Sequence, residues 1–360
     1  MADVLTQQQP QPIVFGQKPI RVEFRRDNMP GLELSELPTF QSPVFDPAVH
    51  LCYTPGGSQR SISDLGVTND RKISNIGCAL PFPLFTEEAV DIMRAELLCG
   101  KVFDNCAFSS NIVGKGSTQV RGWTKQYGPF TDAAWKHPAT IKAVNEMAGI
   151  DLVPVFDYEI AHANVAFKSQ EERTQDAAKI AYRKAHPESE AEDYENGSAV
   201  LGWHFDSYPF VCVLMLSDTT NMIGGETVIH SDDGQISRVP DPKKGSVAVL
   251  QGRVIEHLAS KPIGGTERIT FVTSYRARDP LVRDDSVLTT VSPISDKNEL
   301  YTDWVEYRMK LLSDRLLALG AKVREGRNAG ENFNLDAVRQ YLVEQENYIK
   351  RTYKEMNNWD

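Results

Sequence analysis

The sequence lacks the features of a membrane protein and of a disulfide-rich secreted protein. Its longest apolar runs, such as residues 210–216, are far shorter than the roughly 20 residues that cross a bilayer. The first residues, MADVLTQQQPQP, contain no basic stretch followed by an apolar one, so we expect no secretory signal. The five cysteines form no CxxC pair, which is typical of buried thiols in a reducing compartment. We therefore expect a cytoplasmic protein with no membrane partner.

Positive charge is also scarce. The chain has 39 Lys and Arg against 49 Asp and Glu, a net charge of −10, which repels phosphate backbones. Residues 113–118 contain a glycine-lysine pattern, but the Gly-x4-Gly-Lys-Ser/Thr spacing of a phosphate-binding loop is absent. We therefore expect no nucleic-acid partner. With 360 residues, 41% of them hydrophobic, the chain can bury a sizeable core.

Composition divides the chain into four segments. Residues 1–45, rich in Gln and Pro, are predicted to form a flexible tail. Residues 46–150 are predicted to pack on the core, with a helix over 84–98 capped by Thr86, a hairpin over 111–130 and a helix over 140–147. Residues 291–360 are predicted to form a helical pair, over 299–319 and 334–356. That pair either buttresses the core or forms the contact of a homodimer.

Short β-rich segments dominate the fourth segment, residues 151–290. They cover residues 160–167, 210–216, 226–230, 246–251 and 268–275, with turns of Gly, Asp and Pro between them. Short strands with no long helix between them favour an antiparallel sandwich or barrel. Residues 169–198 are polar and are predicted to be a helical insertion that covers one mouth of the barrel. The predicted fold class is therefore α+β, with a mainly β core and flanking helices.

One motif in this core carries chemistry. His204 and Asp206 are two residues apart, so in an extended strand both side chains point to the same side, where they can ligate one cation. The pair alone is equally well explained by a structural His–Asp hydrogen bond. His257 follows 51 residues later, and 11 residues further Arg268 opens an alternating strand in which Thr270 shares its face.

In these five residues the chain resembles the 2-oxoglutarate/iron(II)-dependent dioxygenases, whose core is a double-stranded β-helix (a jelly roll, similar to cupins). The family pattern is His-x-Asp, a distant second His, a basic residue about ten positions on, and a hydroxyl residue two places later. His204, Asp206, His257, Arg268 and Thr270 occur in that order. The resemblance covers residues 150–280 and is closest in character to fungal biosynthetic tailoring enzymes.

The resemblance implies a ligand set and cofactors. His204, Asp206 and His257 would bind Fe(II) as a facial triad, which leaves three positions for 2-oxoglutarate and O2. Arg268 and Thr270 would bind the distal carboxylate of 2-oxoglutarate, since the arginine fork matches a carboxylate. Asp206 stands where halogenating relatives have a small residue, which disfavours halogenation. The products would be succinate, CO2 and a hydroxylated, desaturated or cyclised metabolite.

Five other residues are weaker candidates. Asn164 lies where many members of that family place a polar residue near 2-oxoglutarate, although a hydrogen bond at a strand end is the alternative. Arg121, Trp123 and Tyr127 supply a cation and aromatic rings that suit a substrate pocket, and packing of the N-terminal layer is the alternative. Tyr208 follows the metal-binding strand and is a further candidate for substrate contact.

Three functions fit these observations. The leading one is an oxygenase that acts on a small molecule, in a biosynthetic pathway. A protein or peptide hydroxylase on the same scaffold would have an open groove, whereas the insertion at 169–198 favours a lid over a closed pocket. A non-catalytic jelly-roll metal-binding protein would have no use for the carboxylate-binding pair Arg268 and Thr270.

Overall fold

The computed structural model describes Met29 and residues 31–35, 42–108, 117–186, 199–240 and 242–356. Most of the predicted tail therefore lies outside the described residues, as do residues 109–116 of the predicted hairpin and 187–198 of the predicted insertion. Within the described ranges, no helix has both the length and the apolar character needed to cross a membrane.

Helices and short strands alternate in the first half of the chain, and strands dominate the second half up to the C-terminal helices. The helices are α1 (Pro47–His50), α2 (Glu87–Leu97), α3 (Gly100–Cys106), α4 (Thr124–Tyr127), α5 (Pro129–Lys136), α6 (Pro138–Ala148), α7 (Gln170–Ala185), α8 (Lys297–Asn328) and α9 (Leu335–Lys354). The strands before α7 are β1 (Gln59–Ser61), β2 (Ile76–Pro83), β3 (Ala107–Phe108), β4 (Ser117–Val120), β5 (Leu152–Pro154) and β6 (His162–Phe167). The strands after α7 are β7 (Ala199–His204), β8 (Phe210–Met215), β9 (Met222–Ile223), β10 (Thr227–His230), β11 (Ile236–Val239), β12 (Ser246–Leu250), β13 (His257–Ser260), β14 (Ile263–Gly264) and β15 (Glu267–Ala277).

The strands form two main antiparallel sheets. The large sheet has the order β1-β2-β12-β8-β15-β6-β4-β3, with β5 also paired to β15, and the small sheet has the order β11-β10-β13-β7. From β6 onward the chain passes alternately between them: β6, β8, β12 and β15 lie in the large sheet, and β7, β10 and β13 lie in the small one. This alternation is the winding of a jelly roll. The predicted fold class, a β core with flanking helices, is confirmed.

The two faces of the large sheet bury different cores. On β15, Ile269 and Phe271 belong to an outer hydrophobic cluster that includes residues of α2, α5 and α6. Val272 points to the opposite side, where Val213 of β8 and Ile229 of β10 pack in a second cluster between the sheets. The period-two alternation of a strand places one side chain in each layer. The inner layer is where Thr270 and Arg268 point, because they are even-numbered like Val272.

Helix α2 forms where the sequence predicts it. The Thr86 side chain accepts a hydrogen bond from Ala89 N, and two glutamates in the first turn lie at the positive end of the helix dipole. Val90 and Met93 are fully buried against the outer face of the sheet. The predicted helix over 140–147 is also confirmed, as part of α6.

The predicted hairpin over 111–130 is wrong in its second half. Among the described residues of this segment, only β4 is a strand, and the chain then forms α4 and α5. Pro129 occupies the first turn of α5, where its missing N–H is not needed. Trp123 and its β-forming neighbours suggested a strand, but burial of the indole in the core determines the local structure. Tertiary packing outweighs intrinsic preference in this segment.

The C-terminal helices pack on the segment that follows β15. Arg308 of α8 is fully buried and donates from Nη1 to Asp284 Oδ2 (3.1 Å), from Nη2 to the Tyr348 carbonyl (3.1 Å) and from Nε to Thr352 Oγ1 (3.0 Å). Burial raises the pKa of the Asp284 carboxyl, but the Arg308 charge and hydrogen bonds from Ser286 and Tyr307 outweigh it, so the net shift is downward. One buried arginine therefore joins both helices to the core.

These helices also expose apolar side chains. Leu317 of α8 and Val343 of α9 are 70% and 53% exposed. Scattered exposed apolar residues are normal on a protein surface and identify no partner. The homodimer contact through this pair stays a prediction.

Candidate metal centre

Three side chains that could hold a metal ion meet at one end of the small sheet. His204 ends β7, His257 begins β13, and the two are directly opposite each other in the antiparallel pairing. Asp206 follows two residues after His204, with its N–H bonded to the Gly252 carbonyl (2.9 Å). His204 Nε2 lies 3.6 Å from Asp206 Oδ1, and His257 Nε2 lies 3.5 Å from Asp206 Oδ2. The strand register thus brings His204 next to His257, although the two are 53 positions apart in the sequence.

The orientation of both imidazoles suits metal binding. His204 Nδ1 lies 2.7 Å from the Gly202 carbonyl, and His257 Nδ1 lies 3.0 Å from the Ile255 carbonyl. A carbonyl only accepts, so each Nδ1 carries the proton and each Nε2 presents a lone pair. Ligand atoms of the three residues lie within 4.8 Å of one another, which one cation can span. Among the described residues this is the one cluster of three or more His, Cys, Asp or Glu side chains with that geometry.

Asp206 carries an unsatisfied oxygen. Its Oδ2 is buried and accepts no hydrogen bond from any described residue, a costly state for a carboxylate unless a cation completes its coordination. A Cβ added to Gly252 would lie 1.8 Å from this oxygen, so the carboxylate occupies space that only glycine leaves open. Two neutral imidazoles and one carboxylate fit a divalent transition metal such as iron(II).

Electrostatics keep Asp206 and His257 in their metal-binding forms. Burial raises the pKa of Asp206, but the neighbouring His257 and His204 rings and the Arg253 guanidinium outweigh it, so the net shift is downward and the carboxylate is ionised at neutral pH. Burial lowers the pKa of His257, which favours the neutral ring. The pKa of His204 is raised, because the hydrogen bond and charge of Asp206 exceed the effect of burial. Because its pKa is raised, the His204 ring holds a proton more readily, and a cation must displace that proton to bind there.

Arg268 and Thr270 lie on the inner face of the large sheet. Thr270 is directly opposite Asn164 of β6 and Met215 of β8. In an antiparallel pair, opposite residues share a face, so the three predicted co-substrate residues line one surface. Arg268 Nη2 donates to the Gly225 carbonyl (3.2 Å). Ile229 of β10 is paired with His257, and Gly225 lies four residues before Ile229. At about 3.3 Å per residue, Arg268 therefore contacts the small-sheet segment about 13 Å along the chain from the metal-binding end.

The predicted substrate residues are placed differently. Trp123 is fully buried in the outer cluster, with its ring 5.5 Å from that of Phe271 and its Nε1 donating to the Ala161 carbonyl. Tyr127 packs against the same cluster. Both lie with the helices on the outer side of the large sheet, so the prediction that they line the substrate pocket is corrected in favour of core packing.

Arg121 and Tyr208 are buried in an internal polar network. Arg121 pairs with Glu159 and lies 2.9 Å from His162 Nδ1, while Tyr208 donates to the same Glu159 (3.1 Å). Arg121 and Tyr208 are each 1% exposed. The terminal nitrogens of Arg121 and the Tyr208 hydroxyl have protein partners, and only Arg121 Nε has none among the described residues. Their burial in this network favours a role within the fold over the predicted direct contact with substrate.

Sequence reasoning missed Gly252 and Arg253. Gly252 accommodates the Asp206 carboxylate, and the Arg253 charge lowers the pKa of that carboxyl. The signal available in the sequence was a glycine directly after the strand 246–251 and five residues before His257. That signal suggests a turn, but its closeness to Asp206 depends on the pairing of two distant strands.

Comparison with known proteins gives likeness in structure alone. No family model matches the chain, and no curated protein matches its sequence. Solved structures do match. A 2OG-Fe(II) oxygenase family protein from Burkholderia pseudomallei is 14% identical with a TM-score of 0.31, over 44% of this chain and 68% of that one.

Two further structures cover 56% of this chain each. A prolyl-4-hydroxylase from Pseudomonas putida is 14% identical, with a TM-score of 0.33 over 93% of its own length. The non-heme alpha-ketoglutarate-dependent epimerase SnoN from nogalamycin biosynthesis is 13% identical, with a TM-score of 0.38 over 78% of its length. Identities and TM-scores this low do not establish a family, a reaction or a substrate for this chain. Its own side chains carry the functional argument.

Proposed function

We propose that the protein is an iron(II)- and 2-oxoglutarate-dependent oxygenase that oxidises a small organic molecule, in a biosynthetic pathway. Iron(II) with 2-oxoglutarate supplies, when bound, the dioxygen chemistry that oxidises an unreactive C–H bond and releases succinate and CO2. The proposal covers hydroxylation, desaturation and ring closure, since all three begin at such a bond. The protein's task is to hold the reactants in position and to exclude water.

The observation that carries this proposal is the convergence of His204, Asp206 and His257 with an unsatisfied, buried Asp206 oxygen at its centre. The imidazoles are held by backbone carbonyls, so the rings need little rearrangement to bind a cation. Three protein ligands leave positions open for a chelating oxo acid and for O2. A purely structural site is usually closed by protein ligands.

Arg268 and Thr270 give the chelating acid a second anchor. Both side chains point between the sheets, and Thr270 is 1% exposed. A guanidinium in such a place can form two charge-assisted hydrogen bonds to a carboxylate, and a hydroxyl can donate a third. Asn164, on the neighbouring strand, adds an amide to the same surface. Arg268 therefore fixes which end of 2-oxoglutarate faces the metal.

An apolar wall completes the pocket. Val213, Ala248 and Val272 are only partly buried although they lie in the middle of their strands, and all three belong to the inner face of the large sheet. Partial exposure in the centre of a sheet indicates an accessible space between the two sheets. Apolar side chains there suit the carbon skeleton of a substrate and keep water away from the reacting bond.

Helix α7 favours a small substrate. Lys168 Nζ, just before this helix, donates to Asp176 Oδ2 (2.5 Å) and to the Pro262 and Gly264 carbonyls (2.9 and 2.7 Å), while Gly264 N donates to Asp176 (2.9 Å). The helix is thus fixed on the loop that adjoins Gly225 and Arg268. A helix fixed at the end of the barrel where Arg268 would bind 2-oxoglutarate narrows access to the space between the sheets. That is unfavourable for the binding of an extended polypeptide. A peptide hydroxylase would need this end open.

The test is anaerobic reconstitution. Purified protein with iron(II) should develop a weak visible charge-transfer band when 2-oxoglutarate is added, and should release succinate once oxygen and a metabolite pool are supplied. His257→Ala should lose both signals, because it removes one of three ligands. Bound iron without a band, in protein shown by circular dichroism to be folded, would identify a jelly-roll metal-binding protein instead. Succinate release that responds to peptides and not to metabolites would favour the peptide hydroxylase.

A further inference from the structure

A cluster of arginines lies beside the metal centre, outside the groups used so far. Arg71, Arg253 and Arg283 line one shallow pocket that is open to solvent and encloses only about 10 Å³, together with Asp285 and with apolar and amide side chains. Arg351 of α9 approaches the same carboxylate from the other side. Four guanidinium groups in one place are unexpected in a chain of net charge −10.

The carboxylate in this pocket does not neutralise the cluster. Asp285 Oδ2 lies 2.6 Å from Arg283 Nε, and Asp285 Oδ1 lies 2.7 Å from Arg351 Nη1. Arg253 uses only its Nε, which donates to the Asp285 carbonyl (2.9 Å). Among the described residues no carboxylate forms an ion pair with Arg71 or Arg253, so two guanidinium groups face the pocket with donors to spare.

Arg71 is positioned by weak contacts. Its Nε is 3.3 Å from Asn69 Oδ1, and its guanidinium lies over the Phe205 ring at 6.0 Å from the centroid. Phe205 lies between His204 and Asp206 in the sequence, so the Arg71 guanidinium contacts the segment that carries two of the candidate metal ligands. The guanidinium keeps its terminal nitrogens available for a ligand.

The pocket is coupled to the metal centre through one turn. Pro209 on its wall follows shortly after Asp206, and Gln251 and Arg253 flank the glycine on which the Asp206 carboxylate rests. An anion held by Arg71 and Arg253 would therefore lie close to the metal-binding end of the barrel, at a different place from Arg268.

We propose that Arg71 and Arg253, with Arg283, bind an oxyanionic group, a carboxylate or phosphate, of the organic substrate and so orient it toward the metal centre. Arginine's planar fork matches both groups through two parallel charge-assisted hydrogen bonds. The pocket is small, so it receives the charged group and leaves the carbon skeleton outside. The inference adds a substrate class to the proposed function, namely organic acids or phosphate esters. It rests on the proposed function for the role of the metal, whereas anion binding by the arginines is independent of that function.

Fluorine NMR with trifluoroacetate as the probe tests this site. The probe is added without oxygen and with saturating 2-oxoglutarate, so that Arg268 is occupied, and line broadening reports the bound fraction. Arg71→Gln and Arg253→Gln should each weaken binding by about 10- to 150-fold, because a hydrogen bond to a charged group is worth about 1.5–3 kcal/mol. Arg253→Lys should restore part of the affinity. Sodium phosphate and sodium acetate should displace the probe, and the stronger competitor identifies the group.

Arg278→Gln is the matched control, because Arg278 is an exposed arginine that pairs with Asp151 away from the pocket. Equal loss in this control, or no loss in either pocket variant, would show non-specific attraction and overturn the proposal. Arg71→Gln keeps the test valid if Arg253→Gln does not fold, since Arg71 makes no buried ion pair among the described residues.

Manganese(II) provides the second readout. If manganese occupies the triad, its unpaired electrons should broaden the bound probe further, and His257→Ala should remove that extra broadening while the protein still binds the probe. Bound manganese with no extra broadening would place the anion far from the metal and overturn the inference. A failure of manganese to bind at all would count against the metal centre, while the arginine variants would still decide the anion site.

Discussion

Gly252→Ala is the sharpest test of the metal centre, because it changes the surroundings of one ligand without removing any. The new Cβ would lie 1.8 Å from Asp206 Oδ2, and real Cβ contacts are essentially never below 3.0 Å, so this oxygen must withdraw by at least 1.2 Å. Metal sites depend on ligand distances to within about 0.2 Å. The carboxylate can therefore no longer share a cation with both imidazoles.

The same variant should remain folded. The three atoms nearest to the new Cβ all belong to the Asp206 side chain (Oδ2, Cγ at 2.6 Å and Cβ at 2.8 Å), so that side chain must shift as a whole, whereas the Gly252 backbone does not have a positive φ and accepts alanine. Changes around a metal ligand typically reduce affinity about 10–100-fold. We therefore expect manganese(II) affinity, measured by electron paramagnetic resonance titration, to fall by about that factor while the melting temperature changes by only a few degrees.

Gly202→Ala is the matched control. It makes the same substitution two residues before His204, at a glycine whose Cβ would meet nothing within 4 Å. It should bind manganese like the wild-type protein. Unchanged affinity in Gly252→Ala would refute the argument, since it would mean that the Asp206 carboxylate is not a ligand or does not lie against Gly252.

Three further predictions concern other parts of the molecule. Arg268→Ala should raise the apparent Michaelis constant for 2-oxoglutarate by one or more orders of magnitude, because losing a charged partner typically costs about 2–5 kcal/mol; an unchanged constant, with Arg278→Ala as the control, would exclude Arg268 as the anchor. Asp284→Asn should lower the free energy of unfolding by about 3–5 kcal/mol in denaturant titrations, because it leaves the buried Arg308 without its carboxylate; a loss below about 1 kcal/mol would show that the pair is not structural. The folded-state pKa of Asp284 is lowered, so its contribution to the free energy of unfolding is present above the unfolded-state pKa of about 3.9 and is lost as the pH falls through the folded-state pKa. The difference in unfolding free energy between the wild-type protein and Asp284→Asn should therefore shrink in acid. A difference that stays constant with pH would contradict this.

The sequence predicted the core well because strands and metal ligands follow short-range rules. Alternation identified β15 within two residues of its observed ends, and the His-x-Asp spacing predicted that His204, the last residue of β7, and Asp206, two residues past it, lie in one candidate site. The second histidine required the resemblance to a known family. Its position opposite His204 results from the register of β13, which no local pattern reveals.

The substrate predictions failed for a physical reason. Trp123 and Tyr127 were considered because aromatic and cationic residues are common in binding pockets, yet the same residues are also the best core fillers. A sequence does not show whether such a ring faces the inside of the barrel or the helices behind it. Here the layer of α2, α5 and α6 covers the outer face of the large sheet, and Trp123 belongs to that layer.

The turn at residues 251–253 links the metal centre to the arginine pocket, and electrostatics gives the sign of that link. Without a cation, the Asp206 carboxylate and the Arg253 guanidinium attract each other. A divalent ion on the triad cancels this negative charge, so the guanidinium should bind an external anion more strongly when the metal is present. Linkage is reciprocal, so an anion in the pocket should strengthen metal binding by the same factor. A substrate that carries an oxyanion would therefore favour the metal-loaded protein, the form in which the proposed chemistry is possible.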